Sequence, residues 1–392
     1  QWSWPPEECI DFVAPGFMGW RSGEPAGPYY GRMGRSAGWE RSKQGFRNFK
    51  LENQYLGATA IMLALFAPFL MWMQRKKKLA FMPDIIFWSF VTIVTLFLSF
   101  GKYFPLYRLF YQLPFVSAIR NPNKFLQVFQ LALGILAAYG LHTAITLSRS
   151  DKIEPYTHSK IRSFIFVILA LGGIMLIAAL ASILSWDSLV QRFAADGWGN
   201  VSTIIVQNRI RALIYGGLMM ILSTAVLSIL CLWKELSVRV RQAIPLILIS
   251  LVLIDVFFLS RHYVKTMPMA ALKENNVIQV LKSAMPTRRV ALTTQNGFYN
   301  FWLTYLFPYY HINTLNTAQM PRMPDDYKQF LGALSANPLR LWQLSAVKYV
   351  LGPSGLWTHV SNDPVMKDAF DIVFAYNVID SNGYIEVSPA TQ

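Results

Sequence analysis

The sequence predicts an α-helical polytopic membrane protein with a small C-terminal extracytoplasmic α/β domain. Three observations predict it. Of the 392 residues, 54% are hydrophobic and 15% charged, with a mean hydropathy of +0.32, less charge than a soluble chain of this size needs. Six apolar stretches meet or approach the roughly 20 residues a helix needs to cross a hydrocarbon core about 30 Å thick. Beyond about residue 261 the long apolar runs give way to short helical and strand-like segments.

Residues 1–53 are rich in Gly, Pro, Trp and Tyr, as in PGFMGW and GPYYGRMGR. That composition suits an irregular extracytoplasmic segment anchored at the interface by aromatics. The opening QWSWPPEECIDF has neither a basic n-region nor an apolar h-region, so the numbering is expected to start inside a longer or processed polypeptide. The six spans, within a helical domain over 54–260, run over about 54–74, 82–100, 125–147, 163–185, 212–233 and 243–260. The loop 101–124 reads as an amphipathic segment lying on the outer surface. An even number of spans puts residues 1–53 and 261–392 on one side. Basic residues orient the chain: Arg75 to Lys78, then Arg149, Lys152, Lys160 and Arg162, then Lys234, Arg239 and Arg241 crowd three short loops, which predicts those loops cytoplasmic and both ends outside. Against this, Arg35, Arg41, Lys43, Arg47 and Lys50 precede the first span. In the tail, ALKENNVIQVLKSA, PDDYKQFLGALS and PLRLWQLSA read as helices, RRVALTT and VKYVLGP as strands, and FDIVFAYNVIDSNGYIEVSP as two strands around a DSNG turn.

The net charge of +15 does not form an aromatic-interleaved stripe, so no nucleic-acid partner is expected, and anionic membrane lipids or a lipid-linked phosphate are the partners favoured. Cys9 and Cys231 sit in unrelated settings, and a disulfide between them is not expected. There is no GxxxxGK[ST], GxGxxG, GxSxG, HExxH or CxxC pair, and His142, His158, His262, His311 and His359 are scattered; no cofactor and no metal site is expected.

Three groups carry candidate chemistry. Arg120, Asn121, Asn123 and Lys124 precede the third span, where cations and amides either clamp a lipid phosphate or anchor the helix end at the head groups. Glu7, Glu8 and Asp11 lie in the first outer segment, where a carboxylate could act as general base on an acceptor hydroxyl; the same residues after Pro5 and Pro6 also suit the first turn of a helix. Asp255 lies inside an apolar run, a costly place for a carboxylate, and is either functional or paired with Arg261 or His262. The other spans carry almost no charge, which argues against an ion-coupled transporter.

The segments PPEECIDFVAPGFMGW with PYYGRMG, ENQYLGATAIMLAL, LPFVSAIRNPNKFLQVFQLALGILAAYGL, LIDVFFLSRHYV and LWQLSAVKYVLG, in this order, resemble the bacterial YfhO-like membrane protein family, related to the C-type (GT-C) glycosyltransferases. The resemblance covers most of the chain through loose motifs. It implies a multispan bacterial plasma-membrane protein that transfers a sugar from a polyprenyl-phosphate donor to an extracytoplasmic acceptor. Arg120 to Pro122 matches the family's Arg-Asn-Pro element before a long span, and Asp255 its acidic position ending a late span. Family members extend further upstream, and in GT-C enzymes the catalytic carboxylate usually lies in the first outer loop, so the resemblance leaves the catalytic acid unassigned here. The alternative from another class is a non-catalytic subunit whose aromatic outer surface docks other membrane protein subunits.

Overall fold

The computed structural model describes residues 2–390 except 75–80, 115, 117, 118, 120, 150–154, 234, 235, 265, 284, 285, 319, 321, 322, 382 and 383, and leaves out the side chains of 261, 380, 381 and 384–386. The chain divides into two compact units, Gln1–Lys265 and Thr266–Gln392.

The first unit is built on six helices: α1 (Ala58–Met73), α2 (Met82–Ser99), α3 (Phe125–Ser148), α4 (Pro155–Leu184), α5 (Ser202–Leu232) and α6 (Val238–Tyr263). Among the described residues, α2 to α6 are long and apolar enough to cross a membrane. Their outward faces are apolar as well: Phe87, Phe90 and Ile93 on α2, Phe166, Ile174 and Ile177 on α4, and Leu246, Leu253 and Phe257 on α6 are all exposed. Such stripes are stable against acyl chains and not against water, so the protein is membrane-embedded.

The first expected span is the one that falls short. Its 16 residues reach about 24 Å at 1.5 Å per residue, less than the core thickness of about 30 Å. The cause is Gly57 at φ 94, a left-handed backbone that stops the helix running back through residues 54–56. The fourth and fifth helices instead begin earlier than hydropathy suggests, at Pro155 and Ser202, because polar residues such as Asn208 and Arg209 continue the helix ahead of its apolar stretch.

Close packing of α4 on α5 is possible because Gly172 and Gly217 face each other; a Cβ on either would sit 3.1 or 2.9 Å from the other's carbonyl oxygen. A hydroxyl pair, Thr59 Oγ1 to Ser223 Oγ at 2.5 Å, joins α1 to α5.

Residues 2–57 form a cap over one end of this bundle. The Trp4 amide donates to Ser99 O at the end of α2 (2.9 Å), and the Asn123 amide ahead of α3 donates to Trp2 O (3.2 Å). Asn208 on α5 donates its side-chain amide to Ala26 O (2.7 Å), and His262 near the end of α6 stacks on Trp20 with centroids 3.7 Å apart. The cap has few regular elements, as its Gly and Pro content predicts, yet Trp4, Phe12, Phe17, Tyr29 and Met33 belong to the same buried cluster as the helices. In the loop 101–124 a short helix, Tyr107–Tyr111, buries Tyr107 and leaves Leu106 and Leu109 exposed.

The second unit contains helices α7 (Asn276–Lys282), α8 (Asp325–Ala333), α9 (Pro338–Leu344) and α10 (Gly355–Asn362), the last not expected from the sequence, and strands β1 (Arg289–Leu292), β2 (Val347–Leu351), β3 (Tyr376–Ser381) and β4 (Tyr384–Pro389). β1 pairs in parallel with β2, and β3 with β4 as an antiparallel hairpin. Asn275 and Asn337 cap α7 and α9, each side chain accepting a backbone N–H of the first turn. Ile278, Val290, Trp302 and Phe307 are fully buried at its core.

Candidate functional site

The cap's first element is a 3₁₀ helix, Pro6–Phe12, started by prolines that have no amide to leave unpaired. At three residues per turn, side chains three apart lie over one another. Glu8 and Asp11 therefore share the inward face and both have no solvent exposure, whereas Glu7 points outward.

Lys50, also with no solvent exposure, closes the site: its Nζ lies 2.7 Å from Asp11 Oδ2 and 3.5 Å from Glu8 Oε2, with the rings of Trp4 and Tyr29 each centred 4.8 Å away. The Met18 amide donates to Asp11 Oδ1 (2.9 Å), so both Asp11 oxygens are occupied. Glu8 is held asymmetrically. Its Oε1 accepts the Tyr29 hydroxyl and the Arg32 amide (2.9 Å), and Tyr29 Oη in turn accepts the Met33 amide (2.7 Å). Among the described residues its Oε2 accepts no hydrogen bond, and Lys50 Nζ lies 3.5 Å away. Gly31 is required here, because a Cβ would come 2.3 Å from Glu8 Oε1.

Desolvation raises the Glu8 carboxyl above its ordinary range; Lys50 and the Tyr29 hydrogen bond pull the other way without cancelling it. Burial, then the Glu8 charge, pushes the Tyr29 hydroxyl upward too. Two carboxylates and one ammonium sum to −1; a proton on Glu8 makes the group neutral. The arrangement is thus one carboxylate pinned to a lysine beside a carboxyl with a raised proton affinity, an acid–base pair in chemical terms.

Glu7 belongs to a different environment. It pairs with Arg32 at 2.5 Å on the surface, and although partial burial opposes it, that guanidinium holds its carboxyl below the ordinary range.

Asp255 is the second buried carboxylate. It is 2% exposed in α6, and its partners are two hydroxyls: Tyr55 donates to it at 2.8–2.9 Å and Tyr215 on α5 at 2.7 Å. The Ala58 amide, the first of α1, donates to Tyr55 Oη at 3.3 Å, so the carboxylate also sits at the positive end of α1. A cavity of about 40 Å³ adjoins it, room for one water. Neither residue suggested as its partner is seen in that role: His262 is stacked on Trp20, and the Arg261 side chain lies outside the described residues.

Arg120 also lies outside the described residues. Asn121 uses its side chain locally, accepting the Asn123 amide at 3.2 Å to cap the turn Pro122–Lys124, while Lys124 is exposed on the cap side of the bundle. Among the described residues no group of three or more His, Cys, Asp or Glu is placed to hold a metal ion, and both cysteines are free.

Reasoning from sequence missed Lys50, Tyr29, Tyr55 and Tyr215, which lie up to 200 residues from the groups they hold. It also missed Arg209, whose guanidinium lies 4.7 Å over Phe17 and whose buried Nε has no hydrogen-bond partner among the described residues. Lys50 alone left a signal, as a cation amid aromatic residues just before an apolar run.

The fold and the site define a helical membrane-embedded protein whose bundle end carries a cap with a buried charged core. Comparison with protein-family models, curated proteins and solved structures finds no match.

Proposed function

We propose that this chain is a GT-C-like glycosyltransferase, or part of one, that moves a sugar from a polyprenyl-phosphate donor to an acceptor outside the cytoplasm of a bacterium. The observation carrying this reading is the pair Glu8 and Asp11 around Lys50 in the cap: a carboxyl of raised proton affinity beside a pinned carboxylate, at the bundle end where Lys124 is exposed. In this reading Glu8 is the base. It takes the proton of the acceptor hydroxyl as that oxygen bonds to the anomeric carbon, the carbon–oxygen bond to phosphate breaks, and polyprenyl phosphate leaves. Asp11 and Lys50 position Glu8, and Lys124 with Arg120 holds the donor phosphate. The three charged groups have no solvent exposure, so this reading requires the cap to open before the acceptor can reach Glu8.

The topology proposed with it has α1 as a sixth, short span, the cap and an α/β domain over 261–392 both outside, and the plasma membrane as its location. Single cysteines at Ser42 in the cap and Ser159 at the start of α4 test it. A membrane-impermeant maleimide added to whole cells should label S42C and spare S159C; the reverse would overturn the orientation.

In proteoliposomes, the purified chain should release polyprenyl phosphate from a polyprenyl-phosphate-linked sugar, and replacing Arg120 and Lys124 together should abolish release with the protein still in the membrane. No release from a panel of such donors would contradict the enzyme reading.

A second reading, a non-catalytic subunit that scaffolds a membrane complex, is favoured by the same complete burial of Glu8, Asp11 and Lys50, since an ion cluster closed to substrate serves a rigid cap equally well. Copurification with other membrane proteins in fixed stoichiometry, without donor turnover, would favour it.

A further inference from the structure

We infer that the second unit carries a binding site for a single-chain amphiphile with an anionic head. A cavity of about 650 Å³ lies within this unit, between α7, β2 and α10 on one side and the segment 370–378 on the other. That volume falls in the range of about 300–1,000 Å³ typical of small-molecule sites. Its wall is mainly aliphatic and aromatic, from residues such as Val280, Val350, Leu356 and Trp342, so the body of an occupant must be apolar.

One polar feature gives the occupant a direction. Lys348 on β2 lines the site with its backbone in the strand and its side chain exposed; it has no carboxylate partner among the described residues, and its ammonium lies 5.3 Å from the Tyr349 ring. Asp371 is the other charged lining residue and is exposed. A sugar or nucleotide would leave most of its polar groups unmatched against this wall; a chain ending in a carboxylate or phosphate would not. Amphiphiles of this class are at hand for a membrane-embedded protein, and the inference stands independently of sugar transfer.

The test uses the full chain, delipidated and held in amphipol, with a fluorescent long-chain fatty acid and the matching fatty alcohol as probes. Wild type should bind the acid saturably at one site per chain. Val280→Trp, which fills the cavity, should weaken both probes by about tenfold or more. Lys348→Glu, an exposed change that leaves the core untouched, should weaken the acid by about tenfold and leave the alcohol unchanged. Absence of saturable binding, or binding to V280W equal to wild type, would overturn the site; equal loss of acid and alcohol in K348E would overturn the anionic head.

Discussion

The cap core buries two carboxylates and helix α6 buries one, and they are neutralised by different means. In the cap, Glu8 and Asp11 surround a lysine, with Trp4 and Tyr29 rings filling the space around the ammonium. In the bundle, Asp255 has no described cation beside it; two tyrosine hydroxyls and the start of α1 take that role. The difference follows from the cost of charge. A buried ion pair is tolerated where its geometry is good, as between Lys50 and Asp11, whose two oxygens are both occupied, while Glu8 Oε2 is left facing Lys50. In an apolar helix bundle a second buried charge would need its own solvation, and neutral donors supply the carboxylate at less cost.

The substitutions that sharpen this contrast fall in order of size. Lys50→Ala leaves two buried carboxylates without a cation and should cost about 3–5 kcal/mol, visible as a collapse of the thermal transition in detergent. Asp255→Ala strands the Tyr55 and Tyr215 hydroxyls and should cost about 1–3 kcal/mol in the same measurement, with Tyr215→Phe costing about 1 kcal/mol. A D255A loss as large as that of K50A would erase the distinction between the sites. Glu7→Gln removes only a surface pair with Arg32 and should change stability by about 0–1 kcal/mol.

The pH dependence separates Glu8 from the rest. Its carboxyl in the folded cap lies above the ordinary 4.5, so the proton binds the folded state more tightly than the unfolded one. The stability this gives is fully present below 4.5 and is lost as the pH rises through the folded value. Glu8→Gln, which keeps an oxygen for the Tyr29 hydroxyl and the Arg32 amide, should match wild type in acid and exceed it toward alkaline pH when melting is followed against pH. Parallel curves for the two proteins would show that Glu8 is not the titrating group.

The membrane class was legible because long apolar runs form helices in hydrocarbon, whereas in the tail α10 went unread, and the caps Asn275 and Asn337 show only once the chain has turned. Helix ends were less so: Gly57 cuts α1 short through a backbone angle that hydropathy does not weigh, and Arg209 continues α5 despite its charge. Glu8, Asp11 and Asp255 stood out by residue type. Their partners did not, because a Lys50 or a Tyr215 becomes a partner through the fold and no local pattern marks it.

Under the proposed function, Glu8 is the base of the sugar transfer. Transfer by Glu8→Gln in proteoliposomes, on protein whose melting in detergent matches wild type, tests it most directly. A base at Glu8 requires a loss of at least about 100-fold with the cap intact. Transfer at the wild-type rate would contradict it and leave Glu8 a structural member of a locked cap.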